Sequence, residues 1–211
     1  MAIRQRIEQT KRYYKRNGFA KTASAVTERV LTKDNPELAF KEPPLEELAK
    51  QRETVFENGP KISVLVPAYE TKEHFFIELI DSLLKQTYSN WELIIADGSK
   101  DDHLSKLVIA DERIRYIKLG KNLGISRNTN EALKEAGGDY IGLLDHDDCL
   151  TPDCLFHVAK AIVKNKPAFL YTDEDKADEE MFHFFEPSRK RKFNLDLLLS
   201  NNYICHFLVM R

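Results

Sequence analysis

The chain has 211 residues, of which 42% are hydrophobic and 31% are charged, a composition typical of a soluble globular protein with a substantial core. Its formal net charge of −2 excludes a general attraction to nucleic acid, and no stretch reaches the roughly 20 apolar residues of a membrane-spanning helix. Three cysteines are too few for a disulfide framework and indicate a reducing compartment. We therefore expect a cytoplasmic protein that does not bind nucleic acid.

Residues 1–58 are predicted to form a helical N-terminal extension, with helices over about residues 3–16, 22–31 and 45–57. The first part of this extension is strongly basic. Its basic residues are Arg4, Arg6, Lys11, Arg12, Lys15, Arg16 and Lys21. A solvated helical arm accounts for this pattern. The alternative is a peripheral contact with the anionic inner face of the cell membrane.

Predicted strands alternate with helices over residues 59–211. The strands are KISVLVPAY, WELIIADGS, IRYIKLG, DYIGLLD and AFLYTDED. Two of the intervening helices are expected at DHLSKLVIADE and TPDCLFHVAKAIVKN, the second with Thr151 as N-cap and Pro152 at its first position. This alternation predicts an α/β domain with a mainly parallel sheet and helices on both faces.

Polar residues, most of them acidic, follow four of the predicted strands. They are Tyr69 and Glu70; Asp97, Ser99 and Asp101; Asp145, Asp147 and Asp148; and Asp173, Glu174 and Asp175. Ligands of open α/β sheets bind beyond the carboxyl ends of the strands. Clustered carboxylates repel one another unless a cation binds them, and oxygen ligands favour Mg²⁺ or Mn²⁺. A divalent cation site is therefore expected at this edge of the sheet.

A zinc site is the alternative for the same region. His146, Cys149, Cys154 and His157 have a spacing loosely similar to that of zinc ligands. However, the four residues would lie on both a strand end and the following helix. Cys154 also fits the apolar face of that helix, which favours a packing role for its side chain.

Four segments together resemble the family 2 glycosyltransferases of GT-A fold, over about residues 61–211. They are Pro67-Ala68-Tyr69, WELIIADGS, NLGISRNTNEAL and LLDHDDCLTPD, in this order. The later YTDEDK and FNLDLLLSNNYICHFLVMR resemble a bacterial branch that builds surface polysaccharides and includes rhamnose-transferring members. The resemblance implies a Rossmann-like GT-A domain that binds a nucleoside-diphosphate sugar.

The resemblance also implies roles for residues at the donor site. The expected donor-binding residues are Pro67, Tyr69, Glu70, Asp97, Arg127, Asp145 and His146. Tyr69 would stack on a pyrimidine, Asp97 would accept a hydrogen bond from the base N3–H, and Arg127 would offset the charge of the nucleotide. In the D-x-D motif, Asp145 would reach the ribose or a metal-bound water, and Asp147 would ligate Mn²⁺ or Mg²⁺ directly. Asp148 would be a further ligand or would orient the others.

This sequence departs from the family pattern in two places. Glu70 stands where the family usually has Asn. The catalytic base of such enzymes belongs to a segment expected beyond Arg211, so no catalytic residue is assigned here. Asp173, Glu174 and Asp175 match a stretch expected to line the sugar or acceptor region.

The expected activity is metal-dependent, inverting transfer from a UDP- or dTDP-sugar to a saccharide or lipid-linked saccharide acceptor, for a growing surface polysaccharide. One alternative is a non-catalytic module that binds nucleotide sugars. Another is a phosphohydrolase of the haloacid-dehalogenase type, with Asp145 as nucleophile and Asp147 as general acid. Dinucleotide oxidoreduction is poorly supported, because no G-x-G-x-x-G follows the first strand.

Overall fold

A computed structural model describes residues 40–178, 184–190 and 193–211. The predicted helices over residues 3–16 and 22–31, and with them the basic arm, lie outside the described residues. The chain divides into a larger unit, residues 41–174 and 189–211, and a smaller one, residues 1–40 and 175–188. Within the described ranges, every helix is too short or too polar to cross a membrane.

The strands of the described residues are β1 (Ile62–Ala68), β2 (Trp91–Asp97), β3 (Ile114–Lys118), β4 (Tyr140–Leu143), β5 (Phe169–Tyr171), β6 (Glu174–Ala177), β7 (Phe184–Ser188) and β8 (Leu208–Met210). Six of them form one mixed sheet in the order β3-β2-β1-β4-β8-β5. The neighbours β3, β2, β1 and β4 run parallel, whereas β8 is antiparallel to both β4 and β5. The predicted mainly parallel sheet is therefore confirmed.

Helices cover both faces of the sheet, as predicted. The helices of the described residues are α1 (Leu45–Glu53), α2 (Glu73–Leu84), α3 (Ile125–Lys134), α4 (Cys154–Asn165) and α5 (Leu195–Ser200), and α2, α3 and α4 pack on the sheet. Every residue of β1 and β2 is buried, because central parallel strands are covered on two sides. On one face Val64 and Ile95 pack with side chains of α2 and α4. On the other, Leu65 and Ile94 pack with Ala132 of α3.

Three predicted elements differ from the structure. The helix expected over DHLSKLVIADE is a single 3₁₀ turn, Leu104–Lys106. The predicted strand AFLYTDED is two short strands, β5 and β6. The first helix of the larger unit, expected over 45–57, ends at Glu53.

The predicted N-cap of α4 is wrong, because the helix begins at Cys154 and its N-cap is Asp153. The side chain of Gln86 explains the difference. Its Nε2 donates to the carbonyl of Thr151 (2.8 Å), while its Oε1 accepts from the backbone N–H of Leu155 (2.9 Å). A distant glutamine therefore satisfies a free N–H of the first helical turn, which an N-cap side chain usually does.

The described part of the smaller unit is Phe40 with residues 175–178 and 184–188. It contains strand β7 and residues of β6, which pair in a two-stranded sheet. Lys176 Nζ lies 2.5 Å from Glu186 Oε2. The ring of Phe40 meets that of Phe184 at a centroid distance of 5.1 Å.

A buried carboxylate joins the strands at the amino end of the sheet in the larger unit. Glu92 accepts hydrogen bonds from Lys61 Nζ, Ser63 Oγ and the backbone N–H of Gly137, each at 2.6 Å. Burial raises the pKa of Glu92, but these three donors outweigh burial and hold the pKa below its ordinary value of 4.5. The charged form of Glu92 therefore stabilises the fold.

The close pairing of β4 with β8 depends on a glycine. Gly142 is the partner of Val209 in the antiparallel register, and the buried ring of Phe207 lies against its Cα. A Cβ at Gly142 would lie 2.6 Å from Phe207 Cε2 and closer still to Cζ. Any larger residue at this position would therefore displace Phe207 or separate the two strands.

We expect replacement of Glu92 by Gln to remove part of the pH dependence of stability. A carboxyl whose pKa is lowered in the folded state stabilises the fold fully above its unfolded pKa, and this contribution is lost as the pH falls through the folded pKa. The free energy of unfolding of the wild type, measured with urea, should decrease as the pH falls below 4.5, and Glu92→Gln should weaken that decrease. Glu46→Gln, in an exposed pair with Lys50, is the control. Equal pH profiles for the wild type and Glu92→Gln would contradict this role.

We expect Gly142→Ala to lower the free energy of unfolding by about 1–3 kcal/mol, the usual cost of overpacking a filled core. The matched control is Gly137→Ala, because a Cβ at Gly137 would meet no atom closer than 3.6 Å. Urea denaturation of both variants measures the difference. A Gly142→Ala protein as stable as the control would show that β8 can move away from β4 without cost.

Candidate functional site

The D-x-D motif forms a tight turn directly after β4. The backbone N–H of Asp148 donates to the carbonyl of Asp145 (3.3 Å), so His146 and Asp147 occupy the corner of the turn. Asp145 and Asp148 are half-buried, whereas Asp147 is exposed. The turn therefore brings its first and last carboxylates together and leaves Asp147 facing solvent.

His206, just before β8, completes a cluster with these two carboxylates. Its Nε2 lies 3.2 Å from Asp145 Oδ2 and 3.7 Å from Asp148 Oδ2. One ligand atom from each of the three residues lies within 4.8 Å of the others. In the part of the chain that the structure describes, these residues form the only such group of three or more His, Cys, Asp or Glu side chains.

The two carboxylates of this cluster have opposite pKa shifts. The hydrogen bond from His206 lowers the pKa of Asp145 despite partial burial. Burial raises the pKa of Asp148; the negative charges of Asp147, Asp145 and Glu174 add to the increase, against the opposing effect of His206. One imidazole therefore compensates two carboxylates incompletely, and a cation placed between them would stabilise the charged form of both.

The donor atoms of this cluster fit a divalent cation. Two carboxylates are the ligands that Mg²⁺ and Mn²⁺ prefer, and imidazole is a common ligand of transition metals. The Nδ1 atoms of His206 and His146 are buried and have no hydrogen-bond partner, so the orientation of neither ring is fixed through that atom. Asp147 is not part of the cluster, and its expected role as a direct metal ligand stays a prediction.

The zinc alternative receives no support from the described residues. Burial raises the pKa of Cys154 to about 12, and its side chain packs against the apolar core. His157 pairs with Asp153 instead, at 3.3 Å. A thiol ligates zinc as the thiolate, and the four residues are not brought together as a group of ligands.

Asp97, at the end of β2, lies in a second polar cluster and is completely buried (0% exposed). Its Oδ1 accepts from the backbone N–H of Ser99 (2.7 Å), and its Oδ2 accepts from Tyr116 Oη (2.5 Å) and Lys118 Nζ (3.0 Å). Burial raises the pKa of Asp97, but hydrogen bonds from Ser99, Tyr116 and Lys118 outweigh it and lower the pKa. Asp97 is therefore kept ionised within this cluster.

The residues expected at the end of β1 lie beside this cluster. Pro67 is buried within β1, and Tyr69 follows the strand with 38% of its surface exposed. Glu70 has a positive φ of 51°, and its backbone N–H donates to Ser99 Oγ (2.7 Å). Asn adopts this left-handed conformation more readily than Glu, so the backbone at Glu70 is strained for the residue that stands there.

The other expected residues occupy three places. Arg127 is exposed in the first turn of α3, which follows Gly124 at a φ of 85°. Glu174 lies beside the cluster of Asp145, Asp148 and His206, because its Oε2 accepts a hydrogen bond from the backbone N–H of His206 (3.2 Å). Asp173 accepts from the backbone N–H of Lys190 (2.7 Å). Asp175 belongs to the smaller unit, where its Oδ2 accepts from the backbone N–H of Phe40 (2.6 Å).

Three residues of the two clusters, His206, Tyr116 and Lys118, were not predicted from the sequence. The parallel pairing of β2 with β3 places Lys118 opposite Asp97, and this register would have identified Lys118. The antiparallel pairing of β8 with β4 places the residues before β8 beside those after β4, and this register would have identified His206. Neither register can be derived from a motif, since each depends on pairing between separate parts of the chain.

Comparison with known proteins identifies the family. The family model described as "Glycosyl transferase family 2" matches residues 63–211. The O-antigen biosynthesis protein RfbC of Myxococcus xanthus is 34% identical over 179 residues, which are 82% of this chain and 14% of RfbC. The UDP-Glc:alpha-D-GlcNAc-diphosphoundecaprenol beta-1,3-glucosyltransferase WfgD of Escherichia coli is 35% identical over 112 residues, or 52% of this chain and 44% of WfgD. The chain thus spans less than half the length of these relatives.

A solved structure supports the same fold. The mannosyltransferase PcManGT from Pyrobaculum calidifontis, in complex with GDP-Man and Mn²⁺, superposes with a TM-score of 0.50 and 18% identity. The superposition covers 60% of this chain and 41% of PcManGT.

The family match argues against the phosphohydrolase alternative, in which Asp145 would be a nucleophile. The chain therefore belongs to glycosyl transferase family 2, whose family model matches residues 63–211.

Proposed function

We propose that this domain binds a UDP- or dTDP-sugar together with Mn²⁺ or Mg²⁺. The whole protein would transfer the sugar, with inversion, to a saccharide or lipid-linked saccharide acceptor of a bacterial surface polysaccharide. The observation that carries the proposal is the cluster of Asp145, Asp148 and His206 at the carboxyl end of the sheet. The names of RfbC and WfgD support the polymer and donor classes.

Asp145, Asp148 and His206 would hold the cation, and Asp147 would join them from the exposed corner of the turn. When bound, the cation stabilises the negative charge of the departing nucleoside diphosphate. These residues lie next to the ends of the paired strands β4 and β8, which limits the reorganisation needed when the donor binds. Arg127, exposed at the start of α3, would offset more of the charge of the nucleotide.

The base preference follows from the ionised state of Asp97. A carboxylate can only accept hydrogen bonds; uracil and thymine carry a donor at N3, whereas cytosine carries an acceptor there. The three donors around Asp97 therefore favour UDP or dTDP over CDP. The exposed ring of Tyr69 would stack on the base, with Pro67 and Glu70 beside it.

Asp173 and Glu174 would contact the transferred sugar or the acceptor, and Asp175 is proposed to contribute to the same region. The deprotonation of the acceptor hydroxyl is not assigned to any described residue. Transfer assays with a panel of nucleotide sugars separate an active transferase from a module that only binds its donor. Release of UDP or dTDP that depends on the acceptor supports transfer, and donor binding without release supports the binding module.

Binding of UDP should depend on Mn²⁺. Calorimetry should show UDP affinity increasing with Mn²⁺, and Asp147→Ala should remove most of the increase, weakening binding about tenfold or more. The matched control is Asp81→Ala, which removes an exposed carboxylate of α2. Equal UDP affinity with and without Mn²⁺ would count against the cation site.

The stacking role of Tyr69 has its own test. Tyr69→Ala should weaken UDP binding by about 1–3 kcal/mol, the usual contribution of an aromatic ring stacked on a base. Tyr69→Phe keeps the ring and should bind UDP with nearly the affinity of the wild type. If calorimetry finds the same loss in both variants, the hydroxyl rather than the ring would be the group that matters.

A further inference from the structure

Lys190 is a buried lysine that neither the sequence motifs nor the proposed donor contacts explain. Only 2% of its side chain is exposed, and an unpaired ammonium at such a place would be costly. Nζ donates to Glu174 Oε2 (3.0 Å), to the carbonyl of Ile204 (2.6 Å) and to the carbonyl of His206. An ammonium has three donors, so every donor of Lys190 is used.

These contacts join two segments that are distant in sequence. The backbone N–H of Lys190 also donates to Asp173 Oδ1 (2.7 Å), so that Lys190 holds both Asp173 and Glu174. Glu174 Oε2 in turn accepts from the backbone N–H of His206 (3.2 Å). The two backbone polar groups of His206 are therefore both held, the carbonyl directly by Lys190 and the N–H through Glu174.

The segment around His206 needs such support. Residues 201–207 lie in neither a helix nor a strand, and a segment of this kind has no regular ladder of hydrogen bonds to fix its backbone. Buried carbonyls without a partner are costly, and Lys190 satisfies two of them with one charged group. The His206 ring contacts Asp145 through Nε2, and its Nδ1 has no hydrogen-bond partner, so its position depends on this backbone as well.

We propose that Lys190 is a positioning residue for the cation site, which fixes His206 opposite Asp145 and Asp148 by holding its backbone. The proposal rests on the proposed function, because it requires that this cluster binds a divalent cation. Lys190 touches neither the cation nor the donor. Its effect passes through the carbonyl of His206 and through the carboxylate of Glu174.

The test is a titration with Mn²⁺ alone, followed by electron paramagnetic resonance of the free ion. Lys190→Met should bind Mn²⁺ about 10- to 100-fold more weakly than the wild type, the usual effect of removing a group that orients a metal ligand. UDP binding in the absence of metal should be unchanged, because Asp97 and Tyr69 do not contact Lys190. A general loss of structure would weaken both.

Lys61→Met is the matched control. It removes the ammonium that pairs with the buried Glu92 (2.6 Å), at the amino end of the sheet and away from the cluster. We expect it to lower the midpoint of thermal unfolding while Mn²⁺ affinity stays at the wild-type value. Weakened Mn²⁺ binding in Lys190→Met but not in Lys61→Met would support a positioning role.

Wild-type Mn²⁺ affinity in a folded Lys190→Met protein would overturn the proposal. If that variant does not fold, Lys190→Gln serves in its place, because a neutral side chain with two donors cannot satisfy three acceptors. Wild-type Mn²⁺ affinity in Lys190→Gln would then overturn the proposal.

His206→Ala separates the positioning role of Lys190 from the proposal that the cluster binds a cation. If His206→Ala weakens Mn²⁺ binding and the Lys190 variants do not, only the role of Lys190 fails; if the wild type does not bind Mn²⁺, the cation site fails as well.

Discussion

The candidate site depends on the pairing of β4 with β8. The D-x-D turn follows β4, and His206 precedes β8, so only the antiparallel register of these strands brings the imidazole to the carboxylates. Phe207 can pack against β4 because Gly142 has no side chain. The position of His206 is therefore coupled to the packing of the sheet. A change that separated the two strands would also separate the imidazole from Asp145 and Asp148.

The carboxylates at the ends of the strands differ in how the chain compensates their charge. Glu92 pairs with Lys61, Asp97 with Lys118, and each has a lowered pKa although it is buried. Asp148 has a raised pKa and, among the described residues, shares a single imidazole with Asp145. The ion pairs of Glu92 and Asp97 compensate the negative charge of these two carboxylates in the folded protein without any ligand. The cluster at Asp148 is the one where a cation would add most, because its negative charge is the least compensated.

Much of the fold was predictable from local patterns, whereas the site was predictable only in part. Runs of β-branched residues and helical spacing of apolar residues identify β1, β2, α2 and α4. Asp97 is the last residue of β2 and the D-x-D motif closely follows β4, so the position of each in the fold follows from its place in the sequence. The predicted N-cap of α4 was wrong because Gln86, which follows α2 in the chain, accepts the hydrogen bond from the first turn of α4. His206 and Lys118 were missed because their partners are set by strand register.

The two halves of the proposed donor site are held by different means, and this difference bears on how the donor binds. On the side of the base, Ser99 joins the ends of β1 and β2 through the N–H of Glu70, and Asp97 keeps its charge through fixed protein donors. That half is complete before any ligand binds. On the side of the diphosphate, the carboxylates are compensated by an imidazole alone, and Asp147 is exposed. Preorganised groups add affinity without a cost of ordering. The side that binds the base should therefore contribute specificity even without metal. The side that binds the diphosphate needs the cation for its affinity.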